Sequence, residues 1–147
     1  MSTSVSQEQA GSGLVAISDE PLSVEQLLGS LDDPTSGGLV LFAGRVRDHD
    51  GGKGVVGLEY AAHPSAVDRL AEVCAAVAEE HGVRVAAVHR VGTLDIGDIA
   101  VLVATCSAHR GDSFTASRAL IDRLKAEVPI WKHQRFSDGT DEWVGSP

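Results

Sequence analysis

Two apolar runs, "RVAAVHRVG" from Arg84 and "IAVLVATCS" from Ile99, are separated by only the six residues "TLDIGD". Runs this short, rich in valine and isoleucine, read as strands. A turn of that length returns the second strand beside the first, so the pair predicts an antiparallel hairpin. The second run leaves the core through "TCSAHRGDSF" and leads into "TASRALIDRLKAEV", a helical pattern stopped by Pro129. A strand hairpin followed directly by a helix restricts the chain to mixed architectures.

The rest of the sequence repeats that grammar. "LVAIS" reads as a first strand and "SVEQLLGSL" as a short helix, with Ser23 and Gln26 spaced as a capping box. "LVLFAGRVR" is a strand, "DHDGGKG" a flexible connection and "VVGLEYAAH" the returning strand. Pro64 fits the first position of a helix closed by Gly82, with Val67, Leu70, Val73, Cys74 and Val77 on its buried face. Phe114, Ser117, Ile121, Leu124 and Val128 mark the buried face of the later helix, with Asp112 or Ser113 as its cap. "IWKHQRF" and "EWV" form a last hairpin around Asp138-Gly139. The prediction is a single α+β domain, largely antiparallel in its sheet, over 14–147. The polar stretch 1–13 is expected to be disordered.

A net charge of −9 argues against general binding to nucleic acid or an anionic membrane. The basic residues are uneven, however: none precedes Arg45, so a local basic site on an acidic body is compatible with the total. No run approaches the roughly 20 apolar residues of a membrane span, and no secretory signal pattern opens the chain. The cytoplasm is the expected location. Cys74 and Cys106 are expected as buried free thiols.

Arg47, His109, Arg110, Lys125 and Lys132 all fall at element ends, where side chains can converge on a cleft. His109 and Arg110 precede a helix, whose free N–H groups favour an anion. Lys132 follows Trp131, and an aromatic neighbour partly desolvates an amine and lowers its pKa. Taken singly, each reads more readily as an ordinary solvated charge, and spacing alone does not show convergence. "CSAH" has a metal-like gap but no second compact pair, so no metal site is expected. "GRVRDHDGG" lacks the lysine and hydroxyl pattern of a P-loop, and "RGD" is read as coincidence. His89 reads as a core or sheet-edge histidine.

Taken in order, "FAGRVRDHDGG", "LEY", "VHRVGTLDIGD", "TCSAHR", "LKAEVPIWKHQ" and "DEWV" resemble the catalytic (large) subunit family of molybdopterin synthase, from Leu39 to Val144. The resemblance implies an α/β-hammerhead type of fold. It also implies a homodimer that binds a small ubiquitin-like subunit at each end, making a heterotetramer. It implies a sulfurtransferase that turns cyclic pyranopterin monophosphate into molybdopterin, using sulfur from the small subunit's C-terminal Gly-Gly thiocarboxylate and no cofactor. Substrate contacts carry over to Arg45, Val46, Arg47, His109, Arg110, Lys125, Lys132, His133 and Gln134, with Lys125 and Lys132 as the catalytic pair. The chain departs from the family after "LEY", where "AAHPSAVDRL" replaces an acidic or aromatic residue and a methionine, which alters the local pocket wall. A non-catalytic module that binds a phosphorylated ligand or a protein tail is the competing reading.

Overall fold

The computed structural model describes residues 5–7 and 12–145. In chain order the elements are β1 (Val5–Gln7), β2 (Ser12–Ser18), α1 (Val24–Gly29), β3 (Gly38–Arg45), β4 (His49–Asp50), β5 (Lys53–Ala62) and α2 (Ala66–His81). Then follow β6 (Arg84–Arg90), β7 (Gly92–Leu94), β8 (Ile99–Ser107), α3 (Arg110–Glu127), β9 (Ile130–Phe136) and β10 (Asp141–Val144). One sheet runs β1-β2-β6-β8-β3, and a second runs β10-β9-β5-β4 with β7 added to β5. Among the described residues only β2 and β6 pair in parallel, so the α+β, mainly antiparallel expectation holds.

The predicted β6–β8 hairpin forms, in register from Arg84↔Cys106 to His89↔Val101. Its strands read as continuous apolar runs because both faces are covered. Val85, Ala87, Val101 and Val103 pack under Leu70, Val73 and Val77 of α2 and Leu120 and Leu124 of α3. Ala86, Val88, Leu102, Ala104 and Cys106 face the other way, toward Leu27 and Leu31. Cys74 and Cys106 are both free and buried.

Three expectations are corrected. β5 does not return along β3; β3 pairs with β8, from Gly38↔Ser107 to Arg45↔Ile99, while β5 builds the second sheet. The cause lies at Val46. Its N–H donates to Asp98 O at 2.9 Å and its carbonyl accepts from Gly97 N–H at 2.8 Å. That clamp turns the chain out of the first sheet, and the hairpin partner of β5 is the two-residue β4, closed by Gly51 and Gly52 with φ of 57° and 81°. Second, α3 starts at Arg110 with His109 as its N-cap residue, ahead of Asp112 and Ser113. Its buried face is Ser113, Ala116, Ser117, Leu120 and Leu124, and Phe114 is 60% exposed. Third, the segment expected to be disordered contributes strand β1, paired with Val15–Ile17 of β2, and Ser12 opens β2. The remainder of that stretch, 1–4 and 8–11, lies outside the described residues.

Other local signals act as read. Ser23 Oγ accepts from Gln26 N–H at 3.1 Å and starts α1. Gly82 closes α2 at φ 64° as expected, but Pro64 is not its first residue: Ser65 is the N-cap and Ala66 the first helical position. β9 and β10 form the last hairpin, with Gly139 at φ 87° in its turn.

Candidate active site

α3 runs back along β8, so its first and last turns lie at opposite ends of the first sheet. Lys125 sits in the last turn, where a cation favours the helix dipole. Pro129 then directs the chain into β9, and Lys132 follows three residues later. Lys132 is opposite Tyr60 on β5 and Val144 on β10, so the three share one face of the second sheet. That face, the end of α3 and His89 on β6 enclose a cleft of about 220 Å³. Tyr60, His89, Lys125, Lys132, Val144 and Gly145 line it.

The electrostatics follow from this enclosure. Lys125 as a whole residue is exposed, yet it borders the enclosed cleft. Desolvation lowers its pKa, and the Lys132 charge adds to the effect. His89 is 2% exposed, and burial pushes its pKa down to about 4, with Lys125 a smaller cause in the same direction. Its Nδ1 lies 2.7 Å from Arg90 O, and its ring meets Tyr60 edge-on at 4.8 Å. Burial raises the pKa of Tyr60.

A second group of residues adjoins the lysines. Gln134, 3% exposed, shares the Lys132 face and donates from Nε2 to Asp50 Oδ2 at 2.7 Å and Glu142 Oε1 at 3.1 Å. Arg47 Nη2 stands 3.8 Å from Asp50 Oδ1. The Gln134 hydrogen bond, then the charges of Lys132 and Arg47, hold the Asp50 carboxyl below its ordinary range. The ion pair is exposed and contributes little to stability. Its interest is that one carboxylate gathers Arg47, Lys132 and Gln134, as an anionic ligand would.

The remaining predicted residues are dispersed. Arg45 is exposed at the end of β3, while Val46 is buried with Leu58, Leu94 and Ala100. His133 faces away from Lys132 by strand alternation; it stacks on Trp143 at 4.5 Å and meets Asp141 Oδ2 at 2.6 Å. His109 and Arg110 line a shallow concavity with Gly37, Ala108 and Gly111. Fifteen helical steps separate Arg110 from Lys125, about 22 Å. A single chain therefore places Lys125 and Lys132 in the cleft, and Gln134 and Arg47 next to it around Asp50, but leaves His109, Arg110 and His133 apart.

The polar exit "TCSAHRGDS" has a structural role as well. Thr105 donates to Ser113 O at 2.7 Å, Ser113 donates to Gly38 O at 2.7 Å, and Ser107 meets Ser113 Oγ and His109 O at 2.6 Å. These bonds tie β8, β3 and the start of α3 together.

Asp50 and Tyr60 belong to the site but were not singled out from the sequence. In the sequence Asp50 reads as part of the flexible connection "DHDGGKG". The signal for Tyr60 was strand alternation opposite Lys132, which appears only once β5 is paired with β9. His89 has the burial expected of a core histidine and also lines the cleft.

Fold and site together define a class: a two-sheet α+β protein with two lysines in one cleft, Lys125 desolvated, beside an anion-compatible cluster. Within that class the MoaE protein family matches residues 17–127, and the chain belongs to it. It is 45% identical to molybdopterin synthase catalytic subunit 1 of Mycobacterium tuberculosis over 131 residues, 88% of each protein. Its structure is similar to the crystal structure of molybdopterin synthase from Staphylococcus aureus, with a TM-score of 0.83, 38% identity, and coverage of 88% of this chain and 96% of that one. A subunit complex of molybdopterin-converting factor from Helicobacter pylori shares the fold at 19% identity and a TM-score of 0.66, over 86% and 85% of the two chains.

Proposed function

We propose that the chain is the catalytic subunit of a cytoplasmic molybdopterin synthase. It moves sulfur from the C-terminal thiocarboxylate of a small ubiquitin-like partner into cyclic pyranopterin monophosphate. The observation that carries this reading is the placement of Lys125 and Lys132 in one cleft, with the amine of Lys125 desolvated. A lysine with a lowered pKa exchanges protons near neutral pH more readily than a free one, and in its charged form stabilises an oxyanion. Arg47, Lys132 and Gln134 supply charge-assisted donors for the substrate phosphate once Asp50 yields them. Val144 and Gly145 form a rim through which an extended tail can enter.

The distance between Arg110 and Lys125 is resolved by a second copy of the chain. β3 is the edge of the first sheet, and Leu39, Leu41 and Phe42 on it are 45%, 37% and 39% exposed. An exposed apolar edge strand calls for a partner. Antiparallel pairing of β3 with the β3 of a two-fold-related copy sets the Gly38 end of one against the Arg45 end of the other. His109 and Arg110 sit at the Gly38 end, so the partner's His109 and Arg110 arrive beside Arg45 and Arg47.

The test is turnover with a preformed thiocarboxylated small subunit and the cyclic phosphate. Formation of the dithiolene product is expected. Tight binding of both ligands with no product would mark a non-catalytic binding module instead.

A further inference from the structure

His89 is a buried imidazole that the sulfur-transfer scheme leaves without a task. Its Nδ1 lies 2.7 Å from the Arg90 carbonyl, which can only accept, so Nδ1 carries the proton. The imidazole is neutral, and Nε2 therefore bears a lone pair. Among the described residues Nε2 has no hydrogen-bond partner, yet it is not one of the buried polar atoms sealed from solvent. His89 borders the cleft. The groups around it are few. Tyr60 faces it from β5, Lys125 from α3 and Lys132 from β9. On its own strand Arg90 is tied to Asp98 at 3.3 Å, and its pairing neighbours Ile17 and Val101 are apolar. The cationic amine closest in effect is Lys125, whose charge is felt at the ring.

We propose that His89 is a positioning residue for Lys125: its Nε2 lone pair accepts a hydrogen bond from the Lys125 ammonium and holds that side chain over the cleft. The Arg90 carbonyl fixes the tautomer, and the Tyr60 ring, edge-on at 4.8 Å, fixes the plane. The inference rests on the sulfur-transfer reading for its purpose; Nε2 is unpaired in this structure, and the contact forms when the Lys125 side chain, which lines the same cleft, turns toward the ring. A neutral acceptor suits this place. A carboxylate would keep the amine protonated, and an apolar wall would leave it unaligned.

The chain has three lysines, Lys53, Lys125 and Lys132, so each amine can be followed separately by NMR on lysine-labelled protein. His89→Phe keeps an aromatic ring and removes the lone pair. Loss of an acceptor for the ammonium should lower the Lys125 pKa by about one unit while Lys53 stays fixed. Single-turnover sulfur transfer should fall by about 10- to 100-fold with KM for the cyclic phosphate unchanged, because phosphate is held elsewhere. His89→Gln, whose amide oxygen can accept, should recover part of the rate. An unmoved Lys125 titration in folded His89→Phe overturns the proposal. Should that variant fail to fold, imidazole 15N spectra of the wild-type protein decide. An Nε2–H tautomer, or an Nε2 signal indifferent to the Lys125 titration, also overturns it. If the NMR results hold while the wild-type protein makes no dithiolene, the sulfur-transfer reading fails and the contact stands.

Discussion

Burial drives Lys125, His89 and Cys74 in one chemical direction, toward the uncharged form. The consequences differ with the group. For His89 the folded pKa of about 4 lies below the ordinary 6.5, so the unfolded chain binds its proton first as pH falls. Its stabilising contribution is complete above pH 6.5 and is lost as pH falls toward 4. Between pH 7 and 4.5 the wild-type protein should lose on the order of 2 kcal/mol more stability than His89→Phe, measured by urea unfolding at each pH. For Cys74 burial pushes the thiol up to about 12, so it forms no thiolate at neutral pH. Cys106 is equally enclosed, with Sγ 3.9 Å from Leu31 O. Neither can relay sulfur, which in the proposed reaction arrives already activated on the partner's tail. Cys74→Ala combined with Cys106→Ser should keep most single-turnover activity and lose some thermal stability. Complete loss of dithiolene formation in the folded double variant would require a cysteine relay.

At the scale of elements, β3 and α3 approach each other through glycine. A Cβ on Gly38 would stand 2.7 Å from both Cα and N of Arg110, and backbone cannot yield as a side chain can. Gly38→Ala should cost about 2 kcal/mol, read from the shift in the urea midpoint. Phe114→Ser, on the exposed face of the same helix, should change the stability of one protomer far less. This contact also explains what the sequence could and could not convey. The β6–β8 hairpin, the Gly82 stop and the last hairpin were legible because each is fixed by residues close together in the chain. Ser117, Ile121, Leu124 and Val128 of the α3 stripe do face the core, and only Phe114 was misplaced, because it is the most apolar side chain of that turn. The close approach of Gly38 instead selects the small face carrying Ser113, Ala116 and Ser117. The partnering of β3 was hidden for a similar reason, since the Val46 clamp to Gly97 and Asp98 is a tertiary bond with no local signature. In the site, Lys125 and Lys132 were readable as basic residues flanking Pro129. Asp50 and Tyr60 were not, because their roles arise only from the pairing of β5 with β4 and β9. His133 carried the right motif position, but strand alternation turns it to the other face.

For the whole molecule, the proposed reaction depends on which chain supplies which residue. The proposed two-fold pairing of β3 builds each site from Arg47, Lys125 and Lys132 of one protomer and the partner's His109 and Arg110. Leu41→Asp should therefore yield a monomer by light scattering that keeps its fold but loses turnover, although Leu41 lies outside the lysine cleft. A sharper test uses two defective chains, one Lys125→Ala and the other Arg110→Ala, each nearly inactive alone. In a mixed dimer one site lacks both residues, while the other has an intact lysine and an intact arginine from across the interface. Random pairing at equal expression makes half the dimers mixed, so about a quarter of all sites should be intact and turnover should return to about a quarter of wild type. The purified mixed dimer, isolated with a different tag on each chain, should show about half. Sites built within one chain give a different result, because each protomer then carries its own defect and co-expression restores nothing. Activity that stays at the level of the separate variants would therefore sink the shared-site arrangement and leave Arg110 without a part in holding the phosphate.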